Sequence, residues 1–68
     1  MNLKPVSSSN IDSIGYDGST LYVSFHSGSL YAYYNVPKNE HDGLMSASSH
    51  GSYLHWNIKG RYPYAKLG

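Results

Sequence analysis

The sequence predicts an α+β fold, a small three-stranded antiparallel β-meander followed by two short helices packed on one face (β-β-β-α-α). Three observations carry this reading. Residues 21–26, Leu21-Tyr22-Val23-Ser24-Phe25-His26, alternate apolar and polar side chains, which is the period of a half-buried strand. Asp17-Gly18-Ser19 and Ser27-Gly28 bracket that run with turn signals. Beyond Val36-Pro37 the apolar spacing changes, with Leu44 and Ala47 three apart and Leu54 and Ile58 four apart, as on one face of a helix.

Taken in order, residues 1–10 read as an extended lead-in, because Pro5 and the serines at 7–9 disfavour a helix. Ile11 and Ile14 mark a first strand over about residues 10–16. In the second strand Leu21, Val23 and Phe25 share one face, and Tyr22, Ser24 and His26 the other. The third strand is Leu30-Tyr31-Ala32-Tyr33-Tyr34. Its register is open. A two-residue loop at Ser27-Gly28 sets Tyr31 and Tyr33 opposite Ser24 and Tyr22, whereas a three-residue loop with a bulge at Gly28 sets them opposite Val23 and Leu21. One slip exchanges the faces. The bulged form is favoured because it gathers Leu21, Val23, Phe25, Tyr31 and Tyr33 on one face, with Phe25 as a core residue. Pro37 suits a first helical position, and Glu40 and Asp42 sit near that helix start, where the dipole favours anions. Gly43 costs this helix about 1 kcal/mol against alanine, so it needs tertiary support. Ser48-Ser49-His50-Gly51 breaks it. A second helix over about 51–59 follows, with Gly60 as its cap, and Arg61-Tyr62-Pro63-Tyr64 leaves as an extended tail.

The 68 residues form one domain, 1–68. A chain of that length buries only about 60% of the surface it exposes when unfolded, so the core is thin. No cysteine is present, which excludes disulfides and thiolate metal sites. No run of about 20 apolar residues occurs, and residues 1–9 lack the apolar stretch of a secretory signal, so a cytoplasmic protein is expected. Charged residues make up 13% and aromatics 15%, with eight tyrosines. That is the reverse of a disordered chain, and so many tyrosines in so small a domain imply a surface that meets something.

Charge is uneven. Residues 1–42 carry Asp12, Asp17, Glu40 and Asp42 against Lys4 and Lys38, while residues 43–68 carry Lys59, Arg61 and Lys66 and no acid. In that basic segment the cations alternate with Trp56, Tyr62 and Tyr64, and cations hold phosphates while aromatic faces hold bases. Tyr31 and Tyr33 suit stacking in the same way, though alternate tyrosines are equally good half-buried strand material. The candidate ligand-binding residues are therefore Tyr31, Tyr33, Trp56, Lys59, Arg61 and Tyr62. Ser8, Ser9, Ser48 and Ser49 fit capping and turn roles better than anion binding. His50 and His55 are five apart, the wrong spacing for a helical metal pair, and no nucleophile elbow of the G-x-S-x-G type occurs. No metal, no cofactor and no catalytic residue is expected.

Further order emerges from the pieces together. Val6-x-Ser8-Ser9-x-Ile11 precedes Ile14-Gly15-Tyr16-Asp17; Leu21-x-Val23-x-Phe25 and Gly28-x-x-Tyr31-x-Tyr33-x-x-Val36-Pro37 follow; Ala47-x-Ser49-x-Gly51-x-Tyr53 and Ile58-Lys59-x-x-Tyr62 close the series. Over about residues 5–64 the chain resembles the KTSC domain, named for the C-terminus of some lysyl-tRNA synthetases, with Tyr31-x-Tyr33 as the family signature. His55 departs from the asparagine more usual there. The resemblance implies a stand-alone member of a family also found alone in bacterial and phage proteins, and RNA binding by association with the synthetases. The expectation is a non-catalytic binding module for RNA, single-stranded nucleic acid or a small nucleotide, including a phage-encoded protein that sequesters a host nucleotide signal. The alternative is a protein–protein module or homo-oligomer with tyrosine and tryptophan anchors.

Overall fold

The computed structural model describes residues 2–68, and its organising element is the central hairpin. The elements are β1 (Lys4–Pro5), β2 (Ile11–Tyr16), β3 (Leu21–Phe25), β4 (Leu30–Tyr33), α1 (Lys38–Ser46), α2 (His50–Tyr53) running directly into a π-helical turn (Leu54–Ile58), and β5 (Tyr64–Lys66). The strands form one antiparallel sheet in chain order, β1-β2-β3-β4-β5. The hairpin takes the bulged form. Leu21 pairs with Tyr33 and Val23 with Tyr31, the Phe25 N–H donates to the Ser29 carbonyl at 2.9 Å, and Gly28 adopts φ 98°, the left-handed conformation that the bulge demands and glycine supplies.

Directly paired residues share a face, so Leu21, Val23, Phe25, Tyr31 and Tyr33 point one way, and β2 adds Tyr16 and Ile14 opposite Leu21 and Val23. A register shift between Ile11 and Ser13 leaves Asp12 as the extra residue. That bulge lets Ile11 and Ile14, three apart, both reach the core, which strict alternation forbids. Ile11, Ile14, Leu21, Val23, Tyr33 and Val36 of the sheet side then pack with Leu44, Leu54 and Ile58 of the helices. Both helices therefore cover this one face. Phe25 is only half-buried, at the margin of this cluster, so its truncation costs less than a core position would.

Five strands replace the expected three. β1 is two residues long and β5 three, too short to display alternation. Pro5 of β1 lies on an edge strand, where a sheet tolerates a missing N–H. Residues 64–66 are not a departing tail, because they pair with β4. Pro37 stands one position earlier than expected, as the N-cap of α1. The second helix begins at His50 and widens at Leu54, where the Lys59 N–H reaches five residues back to the Leu54 carbonyl at 2.9 Å. Among the described residues no helix is long and apolar enough to cross a membrane.

Hydroxyl pins tie these parts together. The Tyr16 hydroxyl lies 2.6 Å from the Val36 carbonyl, and His41 of α1 stacks on the Tyr16 ring at 4.6 Å. Glu40 of α1 accepts from the Tyr53 hydroxyl at 2.7 Å and the Tyr62 hydroxyl at 2.9 Å, so one carboxylate clamps α1, α2 and the chain leading into β5. Hydrogen bonding to Glu40 raises the Tyr53 phenol above the ordinary value; partial burial, then Glu40, does the same for Tyr62. Gly43 lets Tyr53 approach: a Cβ there would sit 2.8 Å from the Tyr53 Cζ.

Four outcomes check this packing. Ile58→Ala, at a fully buried position, is expected to lose about 2–5 kcal/mol by urea denaturation. Gly43→Ala ordinarily gains up to about 1 kcal/mol in a helix, yet here it should destabilise, and should turn stabilising in a Tyr53→Ala background. Glu40→Ala should lose about 1–3 kcal/mol, since both hydrogen bonds go to a charged acceptor. With native Tyr53 and Tyr62 holding their protons above the unfolded pKa of 10.0, the unfolded chain ionises first. Their contribution to stability is then level below about pH 10 and falls as pH rises past it, and Glu40→Ala should shrink that fall.

Candidate functional site

Where the helices stop covering the sheet, the same face continues as an aromatic floor. Tyr33 is 2% exposed, Tyr31 half-buried, and Tyr64 62% exposed. β5 sets Tyr64 opposite Tyr33 and Lys66 opposite Tyr31, so both β5 side chains join that face. The Tyr31 and Tyr33 rings lie 6.4 Å apart and nearly parallel, at 21°. Tyr64 leans on both, at 5.9 Å from each, and Phe25 meets Tyr31 edge-on at 5.7 Å. Lys59 and Gly60 form one part of the wall, and Asn10, Ser27 and Ser29 complete the lining. The result is a half-open groove of about 610 Å³.

The π-helical turn sets that wall. Its wider spacing keeps Leu54 and Ile58 both buried and ends the helix with Lys59 already extended. Gly60, at φ 79°, turns the chain back toward the sheet. Such π turns recur at functional sites, and here the turn delivers a lysine to the rim of an aromatic floor.

Hydroxyl bonding separates the tyrosines by role. Tyr16, Tyr22, Tyr53 and Tyr62 each bond within the protein. Tyr31, Tyr33, Tyr34 and Tyr64 have no such partner among the described residues, and three of these four line the groove. No buried side-chain oxygen among the described residues lacks a partner, so the small exposed part of Tyr33 includes its hydroxyl. Burial, then the neighbouring Tyr31 and Tyr64, raises the Tyr33 phenol above its ordinary value.

Charge completes the picture. All four acids are engaged: Asp42 with Lys38 at 3.0 Å, Asp12 beside His26 at 3.5 Å, Glu40 with its two phenols, and Asp17 accepting the Thr20 N–H in the turn. Lys59, Arg61 and Lys66 make no ion pair among the described residues, and the groove lining holds Lys59 and no acid.

Of the residues proposed from sequence, Tyr31, Tyr33 and Lys59 come together in the groove. Tyr62 does not, because its hydroxyl is committed to Glu40 and its ring packs against the core. Arg61 is exposed outside the groove lining, and Trp56 stands on the outer surface of the π-helical turn, 74% exposed. Tyr64 and Lys66, which the sequence places in the basic, aromatic segment, were not among the candidate binding residues. Their two-residue spacing, the strand period, was the available signal. The serines take structural roles: Ser8 Oγ accepts the Asn10 and Ile11 N–H groups, and Ser49 caps α2 through the Ser52 N–H. No metal-holding cluster of His, Asp or Glu occurs among the described residues.

Comparison with known proteins agrees with this architecture. The KTSC domain model matches residues 7–62. The crystal structure of a KTSC domain protein from Yersinia pestis superposes with a TM-score of 0.91 at 41% identity, covering 98% of this chain and 97% of that one. A protein from Tsukamurella paurometabola is 37% identical over 88% of this chain and 92% of its own length. A lysine–tRNA ligase from Trichormus variabilis is 44% identical over 71% of this chain, and the match spans only 9% of that ligase. With the family model covering most of its length, and a solved member sharing its fold from end to end, the chain belongs to the KTSC domain family.

Proposed function

We propose that this protein is a non-catalytic binding module whose groove holds a nucleotide unit, a base with its phosphate, either free or within a single strand. One observation carries the reading. Tyr31, Tyr33 and Tyr64 meet in an open groove with hydroxyls that no other group among the described residues occupies, beside Lys59 and Lys66, which make no ion pair among those residues. These hydroxyls reach solvent, whereas those of Tyr53 and Tyr62 are taken up by Glu40. Aromatic faces stack bases whatever their sequence, and cations hold phosphate. The Tyr33 O–H can donate to a base edge or ribose oxygen. The sequence match within lysine–tRNA ligases supports a nucleic-acid context. The groove offers stacking and charge but no nucleophile–base pair, which is why binding rather than turnover is the reading.

Titration with adenosine monophosphate and with single-stranded RNA tests this. Tyr64→Ser, at an exposed ring, should lose about 1–3 kcal/mol of binding per stacked base with Tm unchanged. A Lys59→Gln, Lys66→Gln double variant should stay folded and lower the RNA salt slope by about one to two units. Lys59→Gln, Arg61→Gln should lower it less, since Arg61 lies outside the groove lining. Parent protein that binds neither ligand, or variants that bind as the parent does, would leave the protein-partner reading as the better one.

A further inference from the structure

Trp56 is 74% exposed, the most exposed large hydrophobic side chain among the described residues. A tryptophan so placed costs solubility and returns nothing to the core, which Leu54 and Ile58 of the same turn already fill. His55 meets its indole edge-on, at 4.8 Å and 84°. Lys59 follows Trp56 by three residues and His55 by four, so their Cα atoms lie within about 11 and 14 Å of its own even at full extension. Lys59 also lines the groove. Exposed side chains thus lead from the aromatic floor, at Lys59, to His55 and Trp56. They include no acid, and Arg61 is exposed just beyond them.

We infer that the ligand is a single-stranded nucleic acid several nucleotides long rather than a free nucleotide, with Trp56 as a second stacking platform outside the groove. The inference rests on the groove reading above and extends it. Successive stacked nucleotides advance about 3.4 Å along a strand. A strand with one base on the tyrosine floor and a phosphate at Lys59 thus reaches Trp56 within about three further nucleotides. A free mononucleotide fills the groove and leaves Trp56 untouched, so the exposed indole has a use only for a longer ligand.

The chain has a single tryptophan, so its fluorescence reports Trp56 alone. Adenosine monophosphate and tetra-adenylate are titrated side by side, with affinity measured calorimetrically and emission recorded. The expected result is that both bind, that only tetra-adenylate quenches the emission, and that it binds about tenfold or more tightly than the monophosphate. Trp56→Ala, at an exposed position that leaves the fold intact, should erase that gain and leave the monophosphate affinity as it was. Equal affinities with no quenching by either ligand overturn the inference while leaving the groove reading standing. Binding of neither ligand overturns both. Loss of self-association in Trp56→Ala, read by sedimentation with no change in tetra-adenylate affinity, assigns the indole to a protein interface and also overturns it.

Discussion

A single left-handed residue, Gly28 at φ 98°, decides which face of the sheet carries Tyr31 and Tyr33. With the bulge, Tyr31 and Tyr33 fall opposite Val23 and Leu21 and so join the helix-covered face. Without it they would pass to the uncovered side, next to Ser24 and Tyr22. The core would then lose Tyr33 and the groove would lose its floor together. Few positions in so small a domain couple stability and surface chemistry this directly, because a strand's side-chain period allows no intermediate placement.

The Glu40 clamp is the second device. Two neutral phenols satisfy one carboxylate, and the chain that follows Tyr62 becomes β5. In this way α1, remote from the groove, fixes the strand that brings Tyr64 and Lys66 onto the aromatic floor. Glu40 keeps its negative charge, since neutral phenols do not cancel it, but it lies on α1 and outside the groove lining. Lys59 in that lining makes no ion pair among the described residues, and such a cation raises the local concentration of phosphate-bearing ligands.

Much of the fold was legible in the sequence. The alternation at 21–26, the Ser27-Gly28 turn and the Leu54/Ile58 pair each reflect burial on one face, and burial leaves a periodic trace. The two edge strands left none. A two-residue strand has no period, and residues 64–66 pair only because β4 lies within reach after the turn at Gly60. The π-helical turn was hidden for a related reason: its buried pair is also four apart, as in an α-helix, and only the backbone bond from Lys59 to Leu54 distinguishes it. Of the candidate residues, Tyr31, Tyr33 and Lys59 line the groove. Tyr62 lies outside it, with its hydroxyl on Glu40, and the sequence cannot show this because a tyrosine beside a cation looks the same whether its hydroxyl meets solvent or a distant carboxylate.

The claim on which the rest depends is that a nucleotide unit occupies the tyrosine groove. Amide chemical-shift mapping during titration with a short adenylate strand tests it most directly, because it locates the ligand without altering any residue. Shifts concentrated at Ser27, Ser29, Tyr31, Tyr33, Lys59, Gly60 and Tyr64 are the predicted result. Shifts confined to the uncovered face around Tyr22, Ser24 and Ala32, or no shifts at millimolar strand, would contradict it.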